Sequence, residues 1–428
     1  MYNPYMIHKP TYLPLYDVAV IGGGPAGMIA AGRAAECGAR VILVEKNKTL
    51  GVKLLLTGGG RCNFTNAELD TRSFLLKLKK DGKFLFSPFS RFGVKETIDF
   101  FHMHDMPTKI EDELRAFPKS DDAISVLNVL IRYMNNGNVT IMKKTYVSEI
   151  ISRDEKIISI KTSDGKEIHA RNFIFATGGK SHPETGSTGD GFLWLENLGH
   201  EIIPPSAALV PIVIKDSWIK NLQGISLQNV KLTVLQNGAK QNSQKGKLLF
   251  THFGISGPLV LNMSREVGEC LKNGPTELSL DVFPTIDGGA LDKKIHELLT
   301  KAGNKKVKNI FEGLIPNALA LTIFQLSKIN ADTNANTITR EERLRFVKML
   351  KNMPIQVSKL LSADKAIVTS GGVILPEIDF KTMRSRKIQN CFLVGDLLNI
   401  DRPSGGYSLQ ICWTTGYIAG ESAGKVNS

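Results

Sequence analysis

The sequence predicts an α/β fold: a doubly wound domain assembled from both ends of the chain, interrupted by an inserted β-barrel-like domain that carries a small helical insertion. Three observations lead there. A strand, a glycine turn, a helix and a second strand fill residues 16–45. Two later apolar strands, Asn172–Ala176 and Asn390–Gly395, again end in glycine. Between them, from about residue 205 to 352, the texture changes to short strands and then to amphipathic helices. At 428 residues the chain exceeds one ordinary core, so two or three domains are expected.

The elements follow in order. Val18–Ile21 is continuously apolar, a buried strand running into Gly22–Gly24. PAGMIAAGRAAECG reads as a helix rich in small residues and closed at Gly38, and ARVILVEK as the next strand. Together they make one right-handed βαβ unit. Helices are expected at Val94–His104 and Ala123–Asn135, and a strand at Val139–Ile141. Tyr146–Ile151, Ile157–Thr162 and Glu167–Arg171 read as a meander with an Asp164-Gly165 turn. Ala208–Ile214, Val230–Gln236 and Leu278–Val282 suit an antiparallel sheet or barrel, and Leu291–Ala302, Asn317–Ile329 and Thr339–Met353 suit helices, with a polar loop at Asn330–Asn336. Strand character returns near residue 355, and a helix over Leu409–Ala423 closes the chain. The expected divisions are 1–204 and 375–428 for the α/β domain, 205–285 and 354–374 for the β domain, and 286–353 for the helical insertion.

Composition narrows the class. Hydrophobic residues make up 42% and charged residues 22%, the mix of a soluble globular protein. No apolar run approaches the roughly 18 residues needed to cross a bilayer. The stretch Met1–Tyr16 has no continuous apolar segment and makes a poor secretory leader, so a cytoplasmic location is expected. Five scattered cysteines include no C-x-x-C pair, which argues against a disulfide framework and a zinc site. His102-x-His104 has no Cys or acidic cluster at metal spacing, and no metal is expected. The net charge of +13 would favour polyanions, but no aromatic residues interleave with the basic ones, and a solvated basic surface is preferred to nucleic-acid binding.

Four motifs carry chemistry. In Gly22-x-Gly24-Pro25-Ala26-Gly27 the first glycine permits a tight turn, the second lets backbone approach a pyrophosphate, and the third lets the helix pack on the sheet. The helix N-terminus offers N–H donors to that anion. Glu45 ends the next strand, where a carboxylate accepts ribose hydroxyls. This fingerprint alone suits NAD as well as FAD. In Gly58-Gly59-Gly60-Arg61-Cys62-Asn63 the glycines expose N–H groups to a flat ligand, Arg61 suits phosphate, and Asn63 suits a ribityl hydroxyl or flavin edge. Cys62 reads as a packing residue rather than a redox thiol, which would need a resolving partner. Thr177-Gly178-Gly179 lets a second segment cross behind a dinucleotide. Asp396 is placed for ribityl hydroxyls, and the helix after Gly405-Gly406-Tyr407-Ser408 points a positive end at a flavin's N1 and O2 edge. These later elements select FAD. A second dinucleotide fingerprint and a redox cysteine pair are missing, which disfavours a disulfide reductase. Ser256 reads as a turn residue, since Gly254-Ile-Ser-Gly lacks the spacing of a nucleophile elbow.

TGGGRCNFTN, ATGG, FTHFGISGPL and GDLLNIDRPSGGYSLQICWTTGYIAG, in this order, resemble the BaiN-like family of bacterial flavoproteins over nearly the whole chain. The resemblance implies a glutathione-reductase-like, Rossmann-type FAD domain split by a β-barrel domain with a helical interruption. It adds Lys46, the backbone of Val147 near the adenine, and Gly405–Ser408 to the implied FAD contacts. Activities ascribed within the family include reduction of unsaturated keto bile acids and oxidation of aminoacetone. The sequence departs from the family pattern at Asp396, where Glu is frequent, at Ser408, where Asn is frequent, and at Arg402-Pro403.

The function expected is FAD-dependent hydride transfer between flavin N5 and a small organic substrate, with NAD(P)H admitted as electron donor without a dedicated domain. Substrate is expected on the flavin face under the β domain, with Arg61, His182, His252 and Arg402 as candidates to line the pocket and no catalytic acid or base identified. The alternatives are a basic flavoprotein acting on tRNA and a non-enzymatic flavin-binding regulator. The sequence leaves oligomeric state open.

Overall fold

The computed structural model describes residues 16–361 and 368–425; the stretch read for a leader lies almost wholly outside them. The chain forms two units, one from residues up to 206 together with those from 368 onward, the other from 207–367.

In the first unit, Val18–Ile21, Val41–Val44 and Phe173–Phe175 are apolar and buried at every position, as strands covered on both faces require. They lie in a parallel array ordered Cys391–Leu393, Glu167–Phe175, Tyr16–Ile21, Val41–Val44, Thr140–Met142. The register brings the carboxyl ends level: Ile21 pairs with Phe175 and Val44, Phe175 with Leu393, and Val44 with Met142. Backbone bonds then knit the residues just beyond that edge, from Gly22 N–H to Val44 O, Ala176 N–H to Ile21 O and Glu45 N–H to Met142 O, each at 2.8 Å. In such sheets ligands bind outside the carboxyl ends.

One expectation is corrected here. Glu167–Arg171 and Asn172–Ala176 are a single strand, Glu167–Phe175. Its start, Glu167–His169, pairs antiparallel with Lys156–Thr162 and the rest, Ala170–Phe175, pairs parallel with Tyr16–Ile21, so one strand serves both the meander and the central sheet. No turn residue separates Arg171 from Asn172, which is why the chain runs on. Thr65–Asn66, Arg115–Pro118 and Thr108–Glu111 form a small antiparallel sheet too short to show a period in the sequence.

The fingerprint helix Pro25–Glu36 packs on the last helix, which begins at Tyr407, two residues earlier than expected, and ends at Gly424. Four-residue spacing puts Ala26, Ala30 and Ala34 on one face and Gly416, Gly420 and Gly424 on the other. A Cβ on Gly416 would stand 2.4 Å from the Ala26 carbonyl oxygen, and one on Gly420 2.4 Å from that of Ala30. The backbones touch only because neither side has bulk. Polar groups buried in the last helix are all partnered: Gln410 bonds Thr65 Oγ1, Gly93 O and Thr97 Oγ1, and Trp413 Nε1 bonds Phe64 O at 2.8 Å.

The second unit is a closed six-stranded antiparallel barrel in the order Ile212–Ile214, Gly254–Ser256, Ala239–Thr251, Ser226–Gln236, Thr276–Asp281, Met353–Leu360. Its longest hairpin turns at Asn237-Gly238, both left-handed, the pairing that matches strand twist. The returning strand was not predicted because its polar run Lys240–Lys247 hides the alternation. The expected strand Ala208–Ile214 is broken at Leu209, whose φ is +54°. Ser256 lies in a short strand rather than a turn, and Pro258–Lys272 is an unpredicted helix that opens on proline and buries Leu259, Val260, Met263 and Val267. Helices Gly288–Ala302, Asn317–Leu326 and Arg340–Lys351 share one apolar cluster with the barrel.

Candidate functional site

Four segments emerge at the carboxyl edge of the first unit's sheet. Gly22 holds φ +108°, and a Cβ there would meet Ala176 O at 2.4 Å, so only glycine turns the chain at this point. A Cβ on Gly27 would stand 1.9 Å from Gly22 O, which presses the helix start against the strand end. Gly24 faces the other way: a Cβ would meet no atom within 4 Å. Pro25 and Ala26 open the helix, whose first N–H groups have no intrahelical acceptor. Glu45 is buried beside this turn, with Oε2 accepting Gly23 N–H at 2.6 Å and Oε1 accepting Asn47 N–H at 2.7 Å.

The glycine loop follows a short helix, Val52–Leu56. Gly58, Gly59, Gly60 and Cys62 all hold positive φ. A Cβ on Gly59 or Gly60 would touch nothing within 4 Å. Cys62 is fully buried and burial pushes its thiol up, which agrees with packing and not redox chemistry. Arg61 turns its guanidinium to Glu111 and Asp121 and lies 4.2 Å over the Phe117 ring. The buried Asn63 amide donates to Thr65 O at 2.9 Å and Ala116 O at 3.2 Å and accepts Gly406 N–H at 3.1 Å. It therefore ties the glycine loop to the start of the last helix.

Thr177, Gly178 and Gly179 continue from the Glu167–Phe175 strand, and Thr177 Oγ1 is buried with no protein partner. The following loop folds back over the residues after Glu45: Lys46 Nζ reaches Thr188 Oγ1 at 2.5 Å and Asp190 at 2.7 Å, and Asn47 reaches Thr185 O at 2.9 Å. Val147 is buried nearby, with Thr145 N–H on Glu45 O at 3.0 Å. His182 in that loop bonds Glu184 at 2.8 Å.

Asp396 follows the Cys391–Leu393 strand and meets two cations. Arg402 bonds its Oδ1, and Lys53 Nζ lies 3.6 Å from its Oδ2 while donating to Ser181 Oγ at 2.5 Å. Burial raises the carboxyl's pKa, but the charges of Arg402 and Lys53 outweigh it and hold Asp396 below the usual carboxylate range. Gly406 has φ +99°, and a Cβ would stand 2.3 Å from Thr65 C. Tyr407 is buried, its ring 4.6 Å from that of Phe74, and Ser408 Oγ accepts Arg402 Nε at 3.0 Å. A Cβ on Gly405 would meet nothing closer than Tyr407 Cε2 at 4.0 Å.

These residues fit FAD. Open backbone at Gly24, Gly59, Gly60 and Gly405, the orphaned Thr177 hydroxyl, a buried Glu45 at one end and Asp396 with a helix N-terminus at the other match a nucleotide-to-flavin span. Lys53 and Ser181 were not singled out from sequence; Lys53 stood in view as the one cation in VKLLL ahead of the glycines, whereas Ser181 carries no signal. Arg61, His182 and Arg402 belong to the first unit. His252 is in the second, exposed, with its ring edge-on to Phe253 at 4.9 Å. His102 and His104 have separate partners, Thr108 Oγ1 and Phe100 O. Among the described residues no helix is long and apolar enough to cross a membrane, and no group of three His, Cys, Asp or Glu is placed to hold a metal ion.

A family model described as the HI0933-like protein Rossmann domain matches residues 16–422. The chain belongs to this family. Within it, the chain is 29% identical over 411 residues to 3-dehydro-bile acid delta(4,6)-reductase of Clostridium scindens, covering 95% of this chain and 99% of that protein. It is 28% identical over 411 residues to ribosomal RNA dihydrouridine synthase of Escherichia coli, covering 95% and 97%. The resemblance drawn from TGGGRCNFTN and FTHFGISGPL is thus shown. Among solved structures, a flavocytochrome c3 fumarate reductase in open conformation aligns with TM-score 0.55 at 17% identity, covering 96% of this chain and 79% of that one. The 3-ketosteroid-delta4-(5alpha)-dehydrogenase of Rhodococcus jostii aligns with TM-score 0.54 at 15%, covering 98% and 99%. These likenesses show the family's fold to be that of Rossmann-type FAD-binding flavoenzymes.

Proposed function

We propose that the chain is an FAD-dependent oxidoreductase transferring hydride between flavin N5 and a carbon–carbon double bond conjugated to a carbonyl. The observation that carries the cofactor is the convergence of Glu45, Thr177, Asp396 and the Gly405-Gly406 helix start on one sheet edge. Two relatives support the substrate class. A delta(4,6)-reductase of a 3-dehydro-bile acid and a dihydrouridine synthase are both named for adding hydrogen across a ring double bond. Bound FAD, once reduced by the donor, would supply the hydride to one carbon of the double bond, and a proton from solvent would complete the other. The chain's own residues then have three tasks. Glu45 orders the Gly23 and Asn47 amides, the first turn after Gly24 offers N–H groups to phosphate, and the helix after Gly406 presents a positive end. NAD(P)H is the proposed donor, meeting the cofactor directly.

Protein reconstituted with FAD is reduced anaerobically with NADH or NADPH and then mixed with a conjugated enone or with uridine. Reoxidation by the enone supports the reading. Protein that stays colourless after FAD incubation sinks it.

A second reading has a specific observation behind it: action on RNA. Between Asp216 and Glu266 the chain has no acidic residue but carries Lys220, Lys231, Lys240, Lys245, Lys247 and Arg265. Lys231 stands between Lys245 on the barrel's long hairpin and Asp281 on its other neighbour, so two lysines share one carboxylate there. Absence of RNA affinity at low ionic strength, where phosphate binding is strongest, removes this reading.

A further inference from the structure

Arg402 is an arginine whose side chain is 1% exposed, and each arm of its guanidinium ends on protein. Nε donates to Ser408 Oγ at 3.0 Å, Nη1 to the Ile400 carbonyl at 2.7 Å, and Nη2 to Asp396. Ser408 lies in the first turn of the last helix, and Asp396 just beyond the end of the Cys391–Leu393 strand. Arg402 thus links the two parts of the chain that flank the flavin end of the cradle. Lys53 approaches the other oxygen of Asp396, so two cations face one carboxylate and the trio carries a net charge of +1. A buried charge is poorly screened and acts over several ångströms.

We propose that Arg402 is a positioning residue that sets the reduction potential of the bound flavin and does not bind substrate. It fixes Asp396 and, through Ser408, the helix start, and it adds the positive charge that favours the more negative reduced cofactor. This inference rests on the FAD reading above.

The test uses holoenzyme of the parent, Arg402→Met, Arg402→Lys and the double variant Arg402→Met with Asp396→Asn. Each is titrated anaerobically against a reference dye, and FAD dissociation is measured alongside. Arg402→Met brings the trio to zero charge and is expected to shift the balance about tenfold toward oxidised flavin, roughly 30 mV for a two-electron couple. The double variant returns the trio to +1 and is expected to recover a potential close to the parent's while still releasing FAD faster. Arg402→Lys is expected to keep the potential and weaken FAD binding. Should Arg402→Met fail to fold, Lys53→Met removes the same charge from a partly exposed position and is expected to shift the potential in the same direction.

A methionine variant with the parent's potential, or a double variant that stays shifted, overturns the proposal. An unchanged potential with a raised substrate KM assigns Arg402 to substrate instead. Parent protein that takes up no FAD fails at the earlier step and overturns the cofactor reading.

Discussion

The side-chain oxygen of Asn63 accepts the backbone N–H of Gly406 at 3.1 Å, across 343 positions of sequence. The same amide donates to Thr65 O and Ala116 O, so one buried side chain fixes the glycine loop, the small sheet and the start of the last helix. Replacing Asn63 with Ala takes this partner from Thr65 O and from Gly406 N–H, while Ala116 O keeps the Phe64 N–H at 3.0 Å. The expected cost is about 1–3 kcal/mol per unsatisfied group, relieved in part by backbone relaxation. Thermal unfolding with and without FAD checks it, with the larger drop expected for the FAD-bound protein.

Gly420 tests the helix contact. A valine there drives its side chain into the Ala30 carbonyl, and overpacking of this kind costs about 1–3 kcal/mol. Chemical denaturation should show lower stability. Weaker FAD retention is expected too, although residue 420 lies about four helical turns from Gly406. An unchanged FAD off-rate would uncouple the two.

Glu45→Ala removes the acceptor of two backbone amides at the adenine end. FAD affinity is expected to fall about 30-fold, the equivalent of roughly 2 kcal/mol, with Glu45→Gln in between. Flavin fluorescence on dilution reads it out.

His200 supplies a pH dependence. Its ring is buried, bonded through Nδ1 to Glu377 at 2.7 Å and through Nε2 to Ser385 Oγ at 3.0 Å, with Lys387 also on Glu377. Burial lowers its pKa more than the Glu377 hydrogen bond and charge raise it. Below the ordinary value of 6.5 the unfolded chain therefore takes up a proton that the folded chain resists. Stability from this group is complete above that pH and is lost as pH falls beneath it. Denaturant midpoints at pH 7.5 and about 5.5 should differ more for the parent than for His200→Gln.

Thiol labelling of native protein should mark Cys37 first, since it is partly exposed. Cys62, Cys391 and Cys412 are buried with thiols pushed up, Cys412 to about 12. Peptide mapping after brief alkylation reads the order, and early labelling of Cys62 would reopen a redox role for it.

The fold class was legible because glycine and continuous apolar runs are local signals. Gly22, Gly24 and Gly27 mark a turn wherever they sit, and Val18–Ile21 can hardly be anything but a covered strand. Glu167–Phe175 was misread as two strands because one strand with two kinds of neighbour changes its apolar period midway. The barrel's returning strand was missed because lysine and glutamine occupied its outward positions. At the candidate site the backbone elements were readable and the side-chain ties were not. Nothing local joins Lys53 to Asp396 or Asn63 to Gly406; those pairs exist only once the sheet has set its register. The small-residue stripe was readable in principle, since Ala26, Ala30 and Ala34 repeat at the same interval as Gly416, Gly420 and Gly424.

That stripe has a bearing on how the protein is made. Arg33 on the first helix bonds Glu421 on the last, 388 residues later, and the alanine face has no other backbone to receive it so closely. At translation rates of about 5–20 residues per second, roughly 20–80 s separate synthesis of the two helices. Throughout that interval the nascent first βαβ unit holds its glycine turn without the partner that closes it, while the last barrel strand, Met353–Leu360, is made before the last helix begins at Tyr407. Cofactor uptake is therefore expected only once the last helix has been made, and a product that stops before Tyr407 is expected to take up no FAD when FAD is added.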